Sequence, residues 1–242
     1  MKNKVSGGLN SYGHIVGILM NDSTIPRIPG DPGHAETFPF PVTYEVLKGF
    51  PFEDLIDINK DHIDILIKQS KALQKKGVSL IATDCGLFGP FHTDLRKHLD
   101  VPFIGSALDI VPLLQKFLPQ NLKVGLITGD TRILKPAHFK ASGIDPDSVF
   151  IAGMENSSEF NKVVIEKHPK LDIANMRQGV VDAAKSLSSK NLGAVVLECT
   201  NLISYRIDIQ KELKVPVFDL VTLIEFFISG FRFQNFQSQF IR

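Results

Sequence analysis

Cysteine is scarce in this chain: there are two, Cys85 and Cys199, in 242 residues. A small secreted disulfide scaffold carries more in less length, and a CxxC pair, the usual spacing of a zinc site, is missing. Charge of either sign is not in excess. Lys and Arg number 27 against 26 Asp and Glu, a formal net charge of +1. Such a balance leaves no electrostatic footprint for nucleic acid, and there is no basic block to restore one. No apolar run approaches the ~18 residues of a membrane span. The N-terminal MKNKVSGGLNSYG is polar and has no signal-peptide core, so a cytoplasmic location is the expectation. GDPGH (Gly30–His34) is not a phosphate loop, because GxxxxGK[ST] and a helix-opening GxGxxG are both absent. The seven histidines show no metal-ligand spacing, and neither a metal nor a cofactor is expected.

What is present is a globular α/β pattern. With 43% hydrophobic and 22% charged residues, the chain can bury a full core. Strands are expected at His14–Met20, Val42–Leu47, Val78–Thr83, Val101–Ile104, Leu122–Thr128, Ser148–Ala152, Gly193–Leu197 and Val215–Phe218. Helix-period stretches lie between them. Ile63, Leu66, Ile67, Ser70 and Leu73 share one face, and so do Ile173, Met176, Val180, Ala184 and Leu187. Gly77 and Gly193 are expected to stop these helices. Alternating strand and helix predicts parallel sheets.

The chain also repeats itself. VGILMNDSTI (Val16–Ile25) lines up with VGLITGDTRI (Val124–Ile133). LIATDCGLF lines up with VVLECTNLI, which sets Asp84-Cys85 opposite Glu198-Cys199, and a Val-Pro pair follows each cysteine at the same distance. The repeat is too long for a solenoid. It predicts two pseudo-symmetric α/β domains, 1–108 and 109–219, with a C-terminal helix over 220–242 packing back on the first. Its Phe-rich stretch FFISGFRFQNFQSQF suggests a contact in a homo-oligomer.

Ligands of open α/β sheets bind outside the carboxyl ends of strands. Two facing domains put Cys85 and Cys199 on opposite walls of one cleft. A thiolate on one wall removes a proton from carbon beside a carboxylate, and the opposite thiol returns one. Each cysteine precedes a helix start, whose N–H groups are expected to favour the thiolate. Ser23, Thr24, Thr128, Thr131 and Thr200, with the backbone at Gly86 and Gly129, are candidate donors to a small carboxylate substrate. Asp22 and Asp130 stand at equivalent strand ends, as turn caps or, for Asp22, as a substrate contact. The loop Ile25–Pro41 is expected to lie over the cleft, with Arg27 available to a carboxylate.

The paired cysteines, the NDST and GDT strand ends, and VVLECTNL resemble the aspartate/glutamate racemase superfamily. That group includes amino-acid and hydantoin racemases, maleate isomerases, arylmalonate decarboxylases and algal-type dimethylsulfoniopropionate lyases. The resemblance implies a cofactor-independent enzyme with Cys85 and Cys199 as its acid/base pair. Amino-acid racemases of the group carry Cys-Asn-Thr at the first site, where this chain has Cys85-Gly86-Leu87. At the second site Glu198 replaces the usual Gly, and Asn201 stands where other members have His or Glu. Racemisation or epimerisation is the leading expectation and β-elimination the alternative. A non-catalytic binding protein is the third, which two matched thiols disfavour.

Overall fold

The computed structural model describes residues 7–231. Eight strands appear where the apolar runs predict them: β1 Val16–Met20, β2 Val42–Val46, β3 Leu80–Thr83, β4 Phe103–Ile104, β5 Lys123–Thr128, β6 Val149–Gly153, β7 Leu192–Leu197 and β8 Val217–Phe218. They form two four-stranded sheets of order β2-β1-β3-β4 and β6-β5-β7-β8, every pairing parallel. β1 and β3 are buried along their full length, and so are the last four residues of β7. Continuous Val/Ile/Leu runs of this kind suit strands covered on both faces.

The duplication extends to single hydrogen bonds. Asp84 N–H donates to Leu19 C=O, and Glu198 N–H donates to Ile127 C=O, the matching pair of the other sheet. Ile81 and Ala82 face Phe103 and Ile104, as Val195 and Val196 face Val217 and Phe218. In each sheet the strand order reverses beside the first strand, between β1 and β3 and between β5 and β7. That reversal is where parallel sheets open a crevice at their carboxyl ends. Each cysteine leaves its sheet there.

The helix Ile63–Lys75 buries Leu66, Ser70 and Leu73 and stops at Gly77, whose φ of 81° is the left-handed conformation that ends a helix. The helix Ile173–Lys185 buries Met176, Val180 and Ala184, with Asp172 as its N-cap. Ile173 is exposed rather than on the core face. Gly193 does not stop this helix. It lies inside β7, where the Leu118 side chain packs so closely that a Cβ would clash. A C-terminal helix spans Leu220–Ser229. Leu220, Val221, Ile224 and Ile228 join a core cluster that holds residues of both sheets, Leu80 and Ile81 of the first and Val124 and Val196 of the second among them. Residues 232–242, with much of the Phe-rich stretch, lie outside the described residues. No helix among the described residues is long and apolar enough to cross a membrane.

Candidate active site

Both cysteines are built the same way. Cys85 is the N-cap of the 3-10 helix Gly86–Phe91, and Cys199 is the N-cap of the 3-10 helix Thr200–Tyr205. Both are free thiols, half-buried. The two strand ends touch: the Thr200 hydroxyl donates to the Asp84 carbonyl. The Cβ that Gly86 lacks would collide with the Glu198 carbonyl and carboxyl oxygens. Glycine after Cys85 is therefore what lets the second strand end approach the first.

The expectation that helix starts lower the thiol pKa values is overturned by burial. The Cys85 thiol is held well above its ordinary value, first by burial and then by the charges of Glu198 and Asp84, against a backbone hydrogen bond from Leu87. Cys199 is pushed up by burial, then Glu198, against a backbone bond from Asn201. Both thiols are protonated at neutral pH. Removing solvent from a thiolate outweighs what one local N–H returns.

The acidic neighbours of the two cysteines are buried beside them. Asp84 is 4% exposed. It accepts from the Asn21 backbone and side chain at 3.0 Å each and from Arg27 Nη2 at 2.6 Å. Burial raises its pKa, with Arg27 opposing. Glu198 is 2% exposed; Thr128 Oγ1 donates to its Oε2 at 2.7 Å, while Oε1 is buried with no partner. Burial lifts its pKa to about 7, against the Thr128 hydrogen bond.

The loop Ile25–Pro41 crosses from the first domain to the second. Gly30, at φ 109°, rests against Ser204 so closely that no side chain fits. Asp31, 2% exposed, ties the crossing: Arg27 Nη1 donates to it at 2.7 Å and Asn201 Nδ2 at 2.9 Å. Asn201 Oδ1 in turn lies 3.7 Å from the Cys199 thiol. A pocket opens between this loop and the second domain, lined by Ile25, Pro26, Ile28, Asp31, Asn201 and Tyr205 among others. GDPGH forms turns about Asp31, whose carboxylate also accepts the Gly33 N–H.

The structure thus gathers Cys85, Gly86, Cys199, Thr200 and Asn201 at one place, with Arg27 joined to it through Asp84 and Asp31. Arg27 points both terminal nitrogens at Asp31 and Asp84 instead of leaving them for a ligand. Thr128 and Thr200 give their hydroxyls to Glu198 and Asp84. Thr131 turns to Glu155, and Asp130 folds into a turn with Arg132. Asp22 is exposed and Ser23 half-buried at the end of β1; among the described residues neither side chain is in a hydrogen bond. His92 bonds the Gly105 N–H and faces Asp109, and His34 accepts from Glu36 N–H. Asp31 carries no motif that marks it in the sequence: it sits among the Gly and Pro of GDPGH, and its partners Arg27 and Asn201 lie outside that stretch. Among the described residues no three His, Cys, Asp or Glu side chains gather as a metal site.

Two parallel sheets joined at their carboxyl ends, with a thiol on each, define a class of two-domain α/β proteins. The chain belongs to the Asp/Glu/Hydantoin racemase family, whose model matches residues 42–224. Allantoin racemase from Klebsiella pneumoniae shares the fold at a TM-score of 0.63 and 16% identity, over 89% of this chain and 88% of that one. Dimethylsulfoniopropionate lyase from Durusdinium sp. clade D is 28% identical over 232 residues, 89% of this chain and 74% of the relative. Dimethylsulfoniopropionate lyase 5 from Emiliania huxleyi is 26% identical over 226 residues, 87% of this chain and 44% of the relative. The chain thus spans less than half of that second relative's length.

Proposed function

We propose that this chain is a two-thiol enzyme that removes a proton from the carbon next to a carboxylate, and that the reaction it completes is β-elimination. The observation that carries the first half is the pair of strand-end cysteines, each capping a 3-10 helix, at a joint where Thr200 bonds the Asp84 carbonyl. One cysteine first gives its own proton to water and then, as the thiolate, takes the α-proton, against the pull of burial that favours the neutral thiol. The electron pair of the broken C–H bond forms the carbon–carbon double bond, and the β-substituent leaves with the pair of its own bond. For dimethylsulfoniopropionate the products are dimethyl sulfide, acrylate and one proton. Backbone N–H groups at the two helix starts are placed to hold the substrate carboxylate as charge builds on it.

Two points favour elimination over racemisation, reversing the order expected from sequence. The curated relatives reported above are named dimethylsulfoniopropionate lyases. Gly86-Leu87 also brings no side-chain donor where the resembling amino-acid racemases carry Asn-Thr, which suits a substrate without an α-amino group. Racemisation stays as the second reading because the thiols occupy matching positions on both sides. Incubation with dimethylsulfoniopropionate and, separately, with chiral amino acids and hydantoins separates the two. Elimination predicts dimethyl sulfide in the headspace and acrylate in solution. Loss of optical rotation in a chiral carboxylate, with no dimethyl sulfide, would establish the racemase instead.

A further inference from the structure

Among the described residues, three buried carboxylates and one cation stand around the two cysteines. Arg27 serves two of the carboxylates, Asp31 and Asp84, and Asn21 and Asn201 complete their hydrogen bonding. Glu198 has no cation. It is 2% exposed, one oxygen is fixed by Thr128, and the other is buried without a partner, against Gly86 and beside both thiols. A buried carboxylate oxygen left unpaired costs free energy that a positive charge recovers. The titratable groups beside it, the thiols of Cys85 and Cys199, are held neutral and cannot supply that charge.

We infer that Glu198 is the counter-charge for a cationic group on the substrate, so that the site selects a zwitterion with a sulfonium or ammonium centre near its carboxylate. The cation sits within the field of Glu198, and the carboxylate end turns to the backbone N–H groups of the helix starts. The acidic surroundings disfavour a substrate that brings negative charge alone. Burial also makes Glu198 easy to protonate, against the Thr128 hydrogen bond, with a pKa of about 7. A cationic ligand therefore competes with a proton, and its binding weakens as pH falls below that value.

This inference rests on the thiol joint being the substrate site, but its test requires no turnover. Two probes differ by one charge: 3-(trimethylammonio)propionate and its carbon isostere 4,4-dimethylpentanoate. Titration calorimetry on the full chain at pH 8 is expected to show at least a tenfold preference for the trimethylammonio compound. The preference shrinks at pH 6, and Glu198→Gln removes it while leaving the isostere's affinity within a few-fold. Thr128→Val takes away the hydrogen bond that holds Glu198 ionised, and moves the pH at which the preference fades upward. It serves as the second variant should Glu198→Gln fold poorly. Equal affinity for the two probes, binding of neither, or a preference that survives Glu198→Gln overturns the inference. A preference that stands in a protein releasing no dimethyl sulfide overturns the lyase reading and leaves this one.

Discussion

Glu198 carries two consequences that belong to a single side chain. Its pKa is about 7 in the folded protein against an ordinary 4.5, and burial is the cause. Between those two pH values the unfolded chain has released the proton and the folded chain has kept it. Folding stability therefore falls as pH rises through that window, by about 3 kcal/mol for this one group. Glu198→Gln removes the penalty. Relative to the parent, the variant's denaturant midpoint is expected to rise between pH 4 and pH 8; a constant difference across that range would contradict the assignment. Arg27 is the opposite case. Burial works against its charge, and Asp84 and Asp31 hold it ionised. Arg27→Ala strands two buried carboxylates and is expected to cost about 3–5 kcal/mol, measurable by urea unfolding. A loss below 1 kcal/mol would mean that water already serves them.

At the scale of elements, the site is made by strand ends and the turns that follow them. Gly86 shows how tightly. A Cβ there would overlap Glu198, so Gly86→Ala has to displace that carboxyl or part the two strand ends. Overpacking of this kind costs about 1–3 kcal/mol. The expected result is a lower melting temperature together with a turnover loss larger than the stability loss explains; unchanged turnover would show that the close approach is not needed. The central strands were legible in sequence because a parallel strand covered on both faces is one apolar run; the part-buried edge strands β2 and β6 also formed where they were expected. The cysteines were legible because duplication marks them twice. The pairing of Arg27 was not legible, since Asp31 and Asp84 come from a turn and a strand end, and no spacing announces that three such residues meet. Gly193 misled for a related reason. A glycine that admits Leu118 into a strand reads in sequence like one that ends a helix.

On the scale of the whole molecule, duplication sets two matching strand ends against each other. Two sheets of matching order each end in an acid-cysteine pair, and the loop Ile25–Pro41 spans both domains through Asp31 and Asn201. The proposed chemistry draws on thiols, backbone donors and a carboxylate, so chelator treatment is expected to leave turnover unchanged. Turnover lost to a chelator and restored by one metal would refute the thiol mechanism. The central claim is that Cys85 and Cys199 break the α C–H bond. It is tested most directly by following that bond in heavy water by proton NMR, with dimethylsulfoniopropionate and chiral carboxylates as substrates. The parent protein is compared with Cys85→Ser, Cys199→Ser and the double variant. A serine hydroxyl is far too weak an acid to become the base, so at least one single variant and the double variant are expected to lose about a thousandfold in α C–H cleavage while keeping the far-ultraviolet dichroism of the fold. Cleavage by the double variant within tenfold of the parent would contradict the account.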